Sequence, residues 1–89
     1  MDWESLALWL DGDNLICDLD LEKKFLRVEL DNGNAIDVEA YHKGVYFTLM
    51  EWDETGGLIR EEHLEYLINP NTMEVREQVN KLASYYDEG

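Results

Sequence analysis

The stretch Phe25-Leu26-Arg27-Val28-Glu29-Leu30-Asp31-Asn32-Gly33-Asn34-Ala35-Ile36-Asp37-Val38-Glu39-Ala40 decides the fold class. Leu26, Val28 and Leu30 alternate with charged residues, and Ala35 to Ala40 alternates again beyond a turn-forming tripeptide. Period-two alternation on both sides of an Asn-Gly pair marks an antiparallel hairpin. A two-residue Asn-Gly turn would set Val28 against Asp37, a core residue against an acid. A three-residue Asn32-Gly33-Asn34 loop instead pairs Leu30 with Ile36, Val28 with Val38 and Leu26 with Ala40, which keeps one face apolar throughout. That register places Arg27 opposite Glu39 and Glu29 opposite Asp37, and like charges so placed are mildly destabilising.

Outward from the hairpin, Leu15, Cys17, Leu19 and Leu21 alternate as a further strand over Asn14 to Leu21. Val45 to Trp52 has high β-propensity and is apolar on both sides, as in a central or covered strand. Asp53-Glu54-Thr55-Gly56-Gly57 is a turn, and Leu58 to Arg60 suits a short returning strand. Glu61 to Ile68 reads as a helix with Leu64, Leu67 and Ile68 on one side, stopping at Asn69-Pro70; an extended conformation is the alternative. At the N-terminus Asp2 can cap a short helix over Trp3 to Leu10, ended by Gly12. Asn71 with Glu74 forms a capping-box start, followed by a stripe of Val75, Val79, Leu82, Ala83 and Tyr86. The expectation is a single α+β domain over residues 1–89: an antiparallel meander of about four strands, with a C-terminal helix and one or two short helices packed on one face.

Acid dominates the composition. Twenty-one of 89 residues are Asp or Glu against seven Lys or Arg, a formal charge of −14. Hydrophobic residues make up 45% and aromatics 11%, too many for a solvated acidic tail. Halophilic acidity usually comes with fewer large apolar residues, and this chain keeps its Trp, Leu and Tyr. Self-repulsion opposes compaction, so charge of this size in a folded domain points to a basic partner. Direct binding to DNA or RNA is disfavoured, since phosphate contacts need cations. Met1-Asp2-Trp3-Glu4 carries acid where a secretory signal needs positive charge, and Leu6 to Leu10 is a short apolar run; the expected location is the cytoplasm, away from anionic membranes.

Motifs for catalysis or metal binding are weak. Asp11 to Glu22 has acids at positions 1, 3 and 12 of a calcium loop, but Ile16 stands where the sharp turn needs glycine. His42 and His63 have no partner ligand at metal spacing, and Cys17 reads as a small core hydrophobe. Neither Ser5 nor Ser84 sits on a nucleophile elbow, and Gly56-Gly57 lacks the lysine of a phosphate loop. The expectation is therefore a protein that is not an enzyme and uses no cofactor. Tyr41, Tyr46, Trp52, Tyr85 and Tyr86 read as core packing, with any exposed members serving as interface anchors.

In composition and size the chain resembles the nucleic-acid mimics that phages use against host defence nucleases, anti-CRISPR and anti-restriction proteins among them. The resemblance is of character and rests on no shared motif. It implies an inhibitor of a basic nucleic-acid-binding nuclease or effector complex. Its contact residues would be Glu29, Asp31, Asp37 and Glu39 on the hairpin, Asp53 and Glu54 on the turn, and Glu61, Glu62 and Glu65 beyond. Alternate strand residues stand about 6.6 Å apart, a spacing suited to imitating backbone phosphates. The alternatives are an immunity protein or antitoxin with a hot-spot pocket, and an acidic structural or adaptor subunit that self-associates through Val45–Trp52.

Overall fold

A computed structural model describes residues 1–87. The chain runs α1 (Trp3–Gly12), β1 (Ile16–Asp20), β2 (Phe25–Glu29), β3 (Ala35–Tyr41), β4 (Gly44–Trp52), β5 (Leu58–Ile68) and α2 (Thr72–Tyr86). The five strands form one antiparallel meander in the order β1-β2-β3-β4-β5. The fold is α+β, with one strand more than expected.

Both helices start where the capping residues predict. The Asp2 carboxylate accepts from the Glu4 and Ser5 backbone N–H groups, and these bonds, Ser5's foremost, hold it below the usual carboxylate range. Asn71 and Glu74 form the reciprocal capping box of α2. Each helix turns one stripe inward: Trp3, Leu6 and Leu10 from α1, and Val75, Val79 and Ala83 from α2, with Leu82 and Tyr86 half-buried beside them. These meet Leu26, Val28, Leu30, Ile36, Val38, Val45, Phe47 and Leu49 from one face of the sheet. Cys17 packs at the margin of this core, where burial and then the Asp11 charge push its thiol up to about 11, out of the nucleophilic range.

The hairpin register differs from the expected one by two residues. Val28 pairs with Ile36, Leu26 with Val38 and Arg27 with Asp37. The loop is Asp31-Asn32-Gly33, closed by the Leu30 N–H donating to Asn34 O at 2.8 Å. Gly33 takes φ 88°, the left-handed conformation that the last position of such a loop requires. A two-residue slip leaves every side chain on its own face, so the apolar face is unaffected. The charges are re-paired: the expected Glu29–Asp37 repulsion is absent, Glu29 lying opposite Ala35.

The expected helix over Glu61 to Ile68 is the second half of β5, an 11-residue strand. Two register breaks interrupt its pairing with β4, at Phe47/Thr48 and at Glu51/Trp52. The first leaves Leu64 as an extra residue between Glu65, paired with Phe47, and His63, paired with Thr48. A bulge changes the parity of the strand, so Leu64 and Leu67, three apart, both pack against the core. Spacing that suggested a helix thus belongs to a bulged strand.

Candidate interaction surface

Strand alternation sends the residues between the core positions to the other face of the sheet, which neither helix covers. Cross-strand partners share a face, so three rows cross this open side. One runs Ile16, Glu29, Ala35, Met50, Glu61. The next runs Asp18, Arg27, Asp37, Thr48, His63. The third runs Asp20, Phe25, Glu39, Tyr46, Tyr66.

The middle row is anchored by an ion pair. Arg27 Nε and Nη2 donate to the two Asp37 carboxylate oxygens at 2.7 and 2.8 Å. The same guanidinium carbon lies 5.1 Å from the Trp52 ring centroid and 5.7 Å from that of Phe25. Asp37 beneath it is 8% exposed, and its hydrogen bonds are the main reason Arg27 is held still more firmly protonated. Asp37 is therefore neutralised within the chain and presents no free charge.

The third row and its end hold an aromatic cluster. Tyr46 stands 4.2 Å from His63, 5.9 Å from Tyr66 and 6.0 Å from Tyr41, ring centre to ring centre. Tyr66 Oη donates to the Tyr41 carbonyl at 3.0 Å. Glycine at position 44 permits this arrangement: a Cβ there would come within 2.5 Å of Tyr66 Cζ and would also strike the Leu67 carbonyl oxygen. Among the ring-bearing anchors the sequence suggests, Tyr41 and Tyr46 are present but Tyr66 is not, and His63 figures only as a histidine without a metal partner, since a helix over 61–68 separates both from Tyr46. Had they been placed on a strand, the Tyr46–Tyr66 pairing would have been legible.

The remaining candidate contacts are scattered over this face, one end of the sheet and the β5 edge, where Glu62 and Glu65 pair with the core-facing Leu49 and Phe47. Glu29, Glu39 and Glu61 are exposed on it. Asp31 lies in the β2–β3 loop, where its N–H donates to the Asp87 carboxylate at 2.8 Å. Asp53 and Glu54 occupy the β4–β5 turn at the same end. The Asp53 carboxylate is held below its usual range, first by the Thr55 hydroxyl and then by the Gly57 N–H. Glu62 pairs with Arg60, which also reaches Glu51 at 3.1 Å. Glu65 is exposed, opposite Phe47.

The lysines of two sheet turns are set apart from the acids of the opposite end, whereas Lys81 lies on α2. Among the described residues all three arginines are ion-paired: Arg27 with Asp37, Arg60 with Glu51 and Glu62, and Arg76 with Asp13. Lys23, Lys24 and Lys43 lie in the β1–β2 and β3–β4 turns, at the end of the sheet opposite Asp31, Asp53 and Glu54. The N-termini of α1 and α2 meet at the lysine end, where the Asp2 N–H donates to Thr72 Oγ1 at 2.8 Å. The C-terminus of α2 lies at the acidic end, and Asp87 caps it. An acid at a helix C-terminus opposes the macrodipole, so its position is not explained by helix stability.

No family model, curated protein or solved structure matches the chain.

No group of three or more potential metal ligands occurs among the described residues, and no described helix is long and apolar enough to cross a membrane. β4 is hydrogen-bonded on both sides, by β3 and β5, so the Val45–Trp52 region named for the structural-subunit alternative presents no free strand edge. The free edges are β1 and β5. The outer half of β5 carries Arg60, Glu61, Glu62, His63 and Glu65, charges of the kind that guard an edge against adding strands.

Proposed function

We propose that this chain is a non-catalytic acidic inhibitor that occupies the basic, nucleic-acid-binding surface of a nuclease or other defence protein. The segregation of charge carries this reading. Paired arginines, and turn lysines at the far end of the sheet, leave Glu29 and Glu61 on the open sheet face, with Asp31, Asp53, Glu54 and Asp87 at the adjoining end, as one acidic surface; Glu39 is exposed on the same face nearer the lysine turns. Such a surface steers a cationic partner from long range and stands in for phosphates on contact.

The test is capture from bacterial lysate at low and at high salt, with and without added duplex DNA or RNA. A basic nuclease-type partner released by nucleic acid is the expected result. Replacing Glu29, Glu39 and Glu61 by Lys should weaken its binding by well over about tenfold while the fold persists, because several phosphate-like contacts are reversed at once. Unchanged affinity in the folded triple variant would refute the placement.

The aromatic cluster favours a second reading, an immunity protein or antitoxin for a cognate basic toxin. Aromatic anchors ringed by polar residues are the usual anatomy of a hot spot. Binding that resists both salt and nucleic acid would select this alternative.

A further inference from the structure

Arg27 shows how this sheet face holds a guanidinium: one carboxylate in bidentate contact and two aromatic rings beside it. The same components recur on the neighbouring row. Glu39, Tyr41 and Tyr46 line a cleft of about 230 Å³. Glu39 is directly opposite Tyr46 across the β3–β4 pairing and two residues from Tyr41 on the same face of β3. Tyr41 is 55% exposed, and the two rings meet edge to face at 72°. Tyr66 and His63 buttress Tyr46 from behind, so the cleft wall is ordered before any partner arrives.

Resting on the inhibitor function proposed above, we infer that the Glu39–Tyr41–Tyr46 cleft receives one arginine side chain of the basic partner. Glu39 accepts from the guanidinium edge while one tyrosine ring stacks on its plane and the other, nearly perpendicular, closes the side. Arginine suits the cleft better than lysine, because a planar guanidinium can stack and bind a carboxylate bidentately together, whereas an ammonium is a hydrated point charge. The cleft thus converts general acidity into a preference for arginine at one position.

The experiment is a low-salt titration of the full chain with capped hexa-arginine and hexa-lysine peptides, followed by the ring resonances of Tyr41 and Tyr46. The expected result is ring shifts with hexa-arginine and binding about fivefold tighter than for hexa-lysine, the scale of one exposed cation–π and carboxylate contact. Glu39→Gln and Tyr41→Leu should each abolish that preference, while Glu77→Gln on α2, which removes the same charge elsewhere, should preserve it. Unperturbed Trp52 resonances would show that the Arg27 site and the fold persist in the variants. Equal affinity for the two peptides in the native chain overturns the arginine cleft and leaves the acidic-inhibitor function standing. Failure of both peptides to bind overturns the cleft and the inhibitor function together.

Discussion

Arg27→Met is the most informative single change, because it separates charge that supports the fold from charge that faces a partner. Methionine keeps an apolar stem beside Phe25 and Trp52 but removes both hydrogen bonds to Asp37, of 2.7 and 2.8 Å. Asp37 is then an unpaired carboxylate on the central part of the sheet. Breaking a fully buried pair from one side costs about 3–5 kcal/mol. The Arg27 side chain is 36% exposed, so water reaches part of the pair and the loss should fall to about 1–3 kcal/mol. A domain of 89 residues has a total stability of about 4–13 kcal/mol. The loss should therefore lower the melting temperature by at least about 4 °C. The double variant Arg27→Met/Asp37→Val removes the stranded charge and should recover most of that loss. The assay is thermal and urea unfolding of the native chain and the variants at one pH and salt. A single variant that melts within about 2 °C of the native chain, or a double variant no more stable than the single, would show that Asp37 is hydrated after all. It would then return to the set of acids available to a partner.

Two further outcomes follow from the geometry. Gly44→Ala forces a methyl group against Tyr66 and the β5 backbone, so an overpacking loss of about 1–3 kcal/mol is expected, together with altered Tyr41 and Tyr66 ring resonances; native-like melting and ring spectra would contradict the close approach. The Asp13 carboxyl is lowered from 3.8 to about 2, first by the hydrogen bonds from Arg76 and then by the one from Asn80. A depressed native pKa means that the pair stabilises the fold above the unfolded value and loses that contribution as pH falls through about 4 to about 2. The stability gap between the native chain and Asp13→Asn should accordingly be full at pH 6 and shrink across that acid window, as read by urea unfolding; a gap independent of pH would remove the ion pair as its cause.

What could be read from the sequence was whatever depends on local chemistry. Asp2, Asn71 and Glu74 mark helix starts because few side chains can satisfy the free N–H groups there. The inward stripe of α2 and the apolar face of the hairpin are likewise local, since each follows from a fixed period. Register was less accessible. Loops of Asn32-Gly33-Asn34 and Asp31-Asn32-Gly33 differ by a two-residue slip, which leaves the core face identical, so hydrophobic matching cannot choose between them. The left-handed requirement at the last loop position does choose, and it selects Gly33. β5 was obscured by its bulge, which puts Leu64 and Leu67 on one side of a strand at a spacing normally seen in helices.

That register slip governs the functional argument as well as the hairpin. In the expected pairing the open face carried Glu29 against Asp37, an acidic pair beside the Arg27–Glu39 pair. In the observed pairing Asp37 faces Arg27, and the middle of the sheet becomes an ion pair flanked by aromatic rings. Acid is displaced to Glu29 and Glu61 on one side, to Glu39 on the other, and to the Asp31–Asp87 end. A surface of that kind does more than repel anions and attract cations. A uniform stripe would accept any polycation, with an affinity set by salt. Acid arranged around ordered tyrosines can distinguish arginine from lysine and one docking orientation from another. In the proposed inhibitor, the Glu39–Tyr41–Tyr46 cleft is where steering and specificity would meet.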